Sequence, residues 1–324
     1  MMHGSGGSQD FAVAVHNVIH RCLAVSEGED LLVIADPGTT FIADALRREA
    51  TRAGADAVLA VMEERASHGT EPPASVAAAL AACDVYLAPT TRSLSHTNAR
   101  KEATHLGVRG ATMPGVTADM LARVMAVEFE PMAERSRLVA QLLSTAEVAQ
   151  LSCPRGSLMT FDLTGRTGLA DDGDLSSTGA FGNLPCGEGF IAPRGGDGQI
   201  VAASLASIGL SDPGAVLSVQ DGHIVAASDG PGREFLDLLH EHGEPGTNLA
   251  ELGIGTNDRA MLTGNVLEDE KMFGTAHVAF GASAAIGGSV TVPIHLDAIV
   301  TDATLSIDDV PVLESGRFVL RAGG

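Results

Sequence analysis

The segment PIHLDAIV sets His295 and Asp297 two residues apart in an otherwise apolar run. If the run is a β-strand, its alternation points both side chains to one face, so an imidazole and a carboxylate emerge together from a surface of Ile, Leu and Val. Taking both out of water is costly unless they pair with each other, bond to a loop or hold a cation. His277, in GTAHVAFG, occupies a second run of small and apolar residues, and ASAAIGGS supplies a connection between two neighbouring strands. Two imidazoles and a carboxylate converging from adjacent strands are the ligand set of a facial metal site, with positions left open for substrate or dioxygen. A core histidine satisfied by a backbone carbonyl is the commoner explanation of an isolated case, and it stays open for His277.

Two glutamates lie close in sequence to the same kind of run. Glu188 stands between Gly187 and Gly189 in NLPCGEGFIAP; such glycines allow close approach of a ligand and serve an ordinary turn as well. Glu251 opens ELGIGTN, whose GxG lacks the strand, helix and downstream acid of a dinucleotide loop, so nucleotide binding is set aside there. Taken singly, each glutamate reads as a solvated turn residue. His96, in TTRSLSHTNARKEATHLG, follows the run VYLAP, and open α/β sheets bind ligands outside the carboxyl ends of their strands. Arg100 and Lys101 come one turn later, where they can meet an anionic group. In the plainer alternative Ser95 or Thr97 caps the following helix and leaves His96 exposed.

Positioning these residues requires two kinds of element. The first half alternates helical spacing with short apolar runs: a helix over residues 10–25, the strand LLVIAD, the helix FIADALRREATRAG, DAVLAVM, SVAAALAACD, VYLAP, a helix after SHTNARKEATHLG, then VRGATMPG. That order is a doubly wound α/β domain in outline, expected over 11–152. Residues 120–152 read as helical with a break at Pro131, and the character changes after Cys153 and Pro154. Beyond lie strand-like segments rich in turn residues and one helix, REFLDLLHEH, so 153–324 is expected to be a β-rich α+β domain holding the metal.

Composition narrows the partners. With 41 acidic against 20 basic residues the formal charge is -21, which repels nucleic acid and anionic membrane surfaces. The four cysteines show no CxxC pairing, so neither a disulfide framework nor a thiolate zinc site is indicated, and a reducing, cytoplasmic setting fits. Residues 272–294 contain no Asp, Glu, Lys or Arg, but their glycines, Pro293 and His277 suit buried strands better than a membrane helix. The start, MMHGSGGSQD, lacks the pattern of a signal peptide and reads as a disordered lead-in over 1–10.

In order, NLPCGEGFIAP, AELGIGTN, EDEKMFGTAHVAFG and VPIHLDAIV resemble the metal-binding half of the thermophilic-aminopeptidase superfamily, of aminopeptidase T and S types. They also resemble its relatives the 2,5-dihydroxypyridine 5,6-dioxygenases, non-haem iron enzymes of pyridine catabolism, while SLSHTNAR and MPG resemble the first domain of that group. The peptidase pattern implies two metals, zinc or another divalent pair, held by Glu188, Glu251, His277, His295 and a bridging Asp297. It also implies a tyrosine soon after His277, whereas the sole tyrosine is Tyr86. The dioxygenase pattern implies one Fe(II) on His277, His295 and Asp297, with His96 as base, Glu188 beside the substrate and Glu251 not required. A small hydroxylated heteroaromatic substrate and dioxygen follow from it, in a homo-oligomer. The missing tyrosine and the chain length favour the dioxygenase; a non-catalytic binding relative is the third alternative, disfavoured by the intact five-residue set.

Overall fold

The structure, a computed structural model, describes residues 5–321, with side chains from residue 9 onward. In chain order its elements begin α1 (Ser5–Asn17), β1 (Asp30–Ala35), α2 (Thr40–Arg52), β2 (Asp56–Val61), α3 (Ala74–Ala82), β3 (Val85–Ala88), α4 (Asn98–His105), β4 (Arg109–Thr112) and α5 (Ala118–Val124). There follow α6 (Phe129–Leu143), β5 (Val148–Ser152), β6 (Leu158–Asp162), β7 (Leu169–Asp171), β8 (Phe181–Asn183), β9 (Glu188–Ile191), β10 (Gly195–Leu205), β11 (Gly209–Gln220), β12 (His223–Ala227) and α7 (Pro231–His240). The last are β13 (Leu249–Gly255), α8 (Val266–Asp269), β14 (Ala276–Gly281), β15 (His295–Val300), β16 (Thr304–Ile307), β17 (Val310–Glu314) and β18 (Arg317–Phe318).

Two compact units divide these elements. The first runs through Glu128 and takes back Gly173–Cys186. Its strands pair in parallel in the order β2-β1-β3-β4-β8, so the chain switches direction across the sheet between β1 and β3, as in a doubly wound fold. Leu32, Ile34, Tyr86, Ala88, Leu80 and Val108 form much of its core.

The second unit comprises Phe129–Asp172 and the chain from Gly187 onward. Its strands form one large antiparallel sheet, in the order β18-β17-β16-β5-β6-β10-β15-β14-β13-β9-β7, with β11 and β12 continuing from β10. One face of its central strands presents Leu252, Ile254, Val278, Phe280, Ala298 and Val300 to the unit's hydrophobic core. The other face is therefore left for different chemistry, because successive residues of a strand point opposite ways. Among the described residues no helix is long and apolar enough to cross a membrane, and residues 276–281 of the uncharged stretch form β14.

The division differs from the boundary expected at residue 152. Val148–Ser152, read as helical, is a strand because alternate side chains are buried while its backbone pairs with β6 and β16, a tertiary gain that overrides helical spacing. Pro131 does not break a helix either: it lies in the first turn of α6, where its missing N–H removes no intrahelical bond. Of the lead-in expected over 1–10, residues from Ser5 onward are helical and the first four lie outside the described residues.

Candidate metal centre

Register across four strands collects the chemistry. Ala279 on β14 lies opposite both Glu251 and Asp297, His277 opposite Gly253, and Gly281 opposite His295, while Gly255 faces Glu188 across to β9. Residues 188, 251, 277, 295 and 297 thus share the sheet face turned away from the hydrophobic core.

Their contacts form two lobes joined by Glu251. In one, His277 Nε2 lies 3.2 Å from Glu188 Oε2 and 3.2 Å from Glu251 Oε1. Its single N–H is bonded to Glu251, so Glu188 Oε2 is buried without a donor. In the other, His295 Nε2 lies 3.4 Å from Glu251 Oε2 and 3.8 Å from Asp297 Oδ1. His295 Nδ1 stands 2.7 Å from the carbonyl of Ala282. A carbonyl only accepts, so Nδ1 carries a proton and Nε2 is the nitrogen turned toward the carboxylates; the Ala282 contact is the kind of outer support that orients a histidine whose Nε2 binds a metal.

These residues fit a divalent cation. Ligands held at about 2.0–2.2 Å from a first-row ion stand roughly 3 Å apart, the spacing of His277 with both glutamates. The trio Glu188, Glu251 and His277 offers ligand atoms within 4.8 Å of one another. Buried carboxylates in this number require a compensating charge, and with no cation the imidazoles supply it. Burial opposes charge on both histidines, yet the facing carboxylates raise His277 well above its ordinary value and His295 to about 10. Burial likewise opposes ionisation of Glu251, but its bonds to the two imidazoles hold it down at about 2. For Asp297 burial prevails and its pKa is raised.

A pH dependence follows. Histidines whose folded pKa lies above the unfolded one stabilise fully below about 6.5 and lose that contribution as pH rises through the folded value. Metal-free protein is thus expected to melt at lower temperature at pH 9 than at pH 7. Saturating divalent metal should flatten the dependence, because the ion replaces those protons; parallel melting curves at both pH values without metal would contradict this.

One residue outside the expected set enters the centre. Lys271, just beyond α8 and 1% exposed, places Nζ 2.5 Å from Glu188 Oε1, 2.9 Å from Glu270 and 3.1 Å from Asp171. The run EDEK looks like a solvated turn in the sequence, and only burial distinguishes it.

The glycines around these acids make room for protein rather than for a ligand. A Cβ at Gly253 would overlap the His277 imidazole, and one at Gly255 would strike the Met272 carbonyl next to Lys271. Gly187 has φ +126° and lies against Asn257, while Gly189 abuts Val139 of α6. Gly253→Ala should therefore displace His277 at a cost of about 1–3 kcal/mol, and should lower metal content. Wild-type metal content together with an unchanged melting temperature would show that the ring moves aside freely.

His96 belongs to the first unit. It is exposed in the turn before α4, on the carboxyl side of β3, and Thr97 caps the helix by accepting the N–H of Arg100. Arg100, read from the sequence as able to meet an anionic group, is buried, bonded through Nε to the Ser95 carbonyl at 2.7 Å and stacked 4.0 Å over the Phe181 ring.

Similarity to known proteins is spread over nearly the whole chain. A family model described as 2,5-dihydroxypyridine 5,6-dioxygenase matches residues 10–320. No curated protein sequence matches. The structure of 2,5-dihydroxypyridine dioxygenase from Pseudomonas putida KT2440 superposes with a TM-score of 0.81 at 18% identity, covering 98% of each chain. Wild-type AmpT from Thermus thermophilus superposes with a TM-score of 0.71 at 18% identity, covering 97% of this chain and 100% of its own. Both likenesses concern the fold.

Proposed function

This chain belongs to the 2,5-dihydroxypyridine 5,6-dioxygenase family, and from that premise we propose that it is a dioxygenase with one iron(II) per chain, acting on a small hydroxylated heteroaromatic ring. The observation that carries the single-metal reading is Lys271. Its ammonium sits between Glu188, Glu270 and Asp171 and provides there the positive charge that a second divalent ion would bring to a peptidase centre. His277, His295 and Asp297 would hold the ion, with Glu251 between the two imidazoles. Bound there, iron supplies the chemistry of dioxygen activation and a point of chelation for the substrate hydroxyls.

The protein's own groups have separate tasks in this reading. Ala282 fixes the His295 tautomer and Lys271 fixes Glu188. His96 takes the proton of a substrate hydroxyl. His96→Ala is accordingly expected to keep its iron and to lose roughly 10²-fold or more in turnover, the usual contribution of a positioned base. An unchanged rate would remove His96 from the mechanism.

Retention of Glu188 together with Glu251, which reaches both imidazoles, favours a two-metal aminopeptidase as the second reading. The deciding experiment is metal analysis of protein purified without added metal, combined with dioxygen consumption on 2,5-dihydroxypyridine and related rings and with hydrolysis of aminoacyl amides. One iron per chain and ring-dependent dioxygen uptake support the dioxygenase. Two zinc or cobalt ions with amide hydrolysis replace it by the peptidase, and no metal and no turnover by a binding protein.

A further inference from the structure

We propose that His16, His20 and Glu49 of the first unit form a second metal site, independent of the centre on the antiparallel sheet, which binds zinc and ties α1 to α2. His16 and His20 are one helical turn apart, so both imidazoles leave the same side of the N-terminal helical segment. The helix becomes a π-helix over Val18–Cys22, a widened turn that contains His20. Their rings stack with centroids 4.2 Å apart. Glu49, on α2, turns one oxygen to both: Oε1 lies 3.3 Å from His16 Nδ1 and 3.2 Å from His20 Nε2. Tetrahedral ligands held about 2.0–2.1 Å from zinc stand roughly 3.3 Å apart, which the two Glu49–histidine distances match, and the three ligand atoms all lie within 4.8 Å of one another.

The surroundings support the assignment. Arg52 binds the other Glu49 oxygen at 2.9 Å, which fixes the carboxylate with Oε1 toward the histidines, as outer-sphere partners do for metal ligands. His16 is 57% and His20 33% exposed, so an ion has access and a water can complete its coordination. Two imidazoles with one carboxylate favour zinc over magnesium or calcium, which prefer all-oxygen shells. The protein's charge of -21 attracts cations generally, and the placement of two imidazoles beside a carboxylate selects among them.

The test uses the full-length chain, stripped of metal and titrated with zinc by calorimetry and equilibrium dialysis. To separate the two centres, the titration is made in wild type, in His295→Ala, in the double variant His16→Ala with His20→Ala, and in the triple variant. We expect the double variant to bind one zinc fewer than wild type. In the His295→Ala background the same two changes should weaken the remaining zinc from micromolar to millimolar, roughly 10³-fold. Circular dichroism checks that these surface changes leave the fold intact, and Glu49→Gln serves as an independent variant that keeps both histidines. Cobalt(II) should give the visible bands of a low-coordinate N/O site that disappear in the double variant. Equal zinc stoichiometry and affinity with and without His16 and His20 would overturn the proposal, leaving the trio as hydrogen-bond partners alone.

Discussion

Lys271→Met is expected to destabilise the metal-free chain by about 3–5 kcal/mol, the range found when one partner of a buried ion pair is removed. Burial alone would depress the lysine, but Glu188, Glu270 and Asp171 raise it well above its ordinary value, so it is charged. Burial pushes Glu270 up to about 8 and Asp171 to about 7, against the pull of the ammonium, whereas Glu188 stays below the usual carboxylate range despite burial, held down chiefly by Lys271. The ammonium and Glu188 are therefore the pair that persists at neutral pH. Methionine fills similar space without charge and leaves Glu188 with the His277 imidazole as its remaining cationic neighbour.

Chemical denaturation of wild type and variant at pH 7 measures the loss. The single-metal reading adds a second expectation: the variant should regain part of its stability when a second divalent ion binds, with stoichiometry rising from one to two. A loss below ~1 kcal/mol would mean that solvent reaches the cluster, since exposed pairs contribute no more than that.

Glu251→Gln is expected to weaken metal binding by ~10–100-fold or more. The sequence pattern of a one-iron site does not require this residue, yet the structure puts it between His277 and His295 with one oxygen toward each. The amide is nearly the same shape, but it loses the negative charge and must turn its NH2 toward one of the imidazoles. Metal content after dialysis against graded chelator gives the affinity. A fall from one ion to a fraction of one fits a single weakened site, and a fall from two to one would transfer the protein to the two-metal reading. Undiminished affinity would place the ion wholly on His277, His295 and Asp297.

Local sequence pattern was enough to identify the two element types and three members of the candidate centre, His277, His295 and Asp297. Period-two alternation at His295 and Asp297 specifies a shared face wherever the run is a strand, because side-chain direction is a property of the backbone. The alternating helices and apolar runs before Tyr86 likewise determine a parallel sheet, since each short strand must be buried on both faces. The resemblance supplied Glu188 and Glu251, which no local pattern separates from turn residues.

Only the tertiary structure decided which of these groups meet. Glu251 faces both histidines because of cross-strand register, and register depends on partners distant in the chain. Lys271 could not be distinguished from a surface lysine, because its burial comes from Asp171, Glu188 and Glu270 enclosing it. The GxG of Gly253 and Gly255, rejected as a nucleotide loop from its sequence context, provides space for the His277 ring and for the backbone beside Lys271. The strand at Val148–Ser152 and the return of Gly173–Cys186 to the first unit have the same origin. Periodicity records which way a side chain points along one element, whereas pairing between elements determines what it finds there.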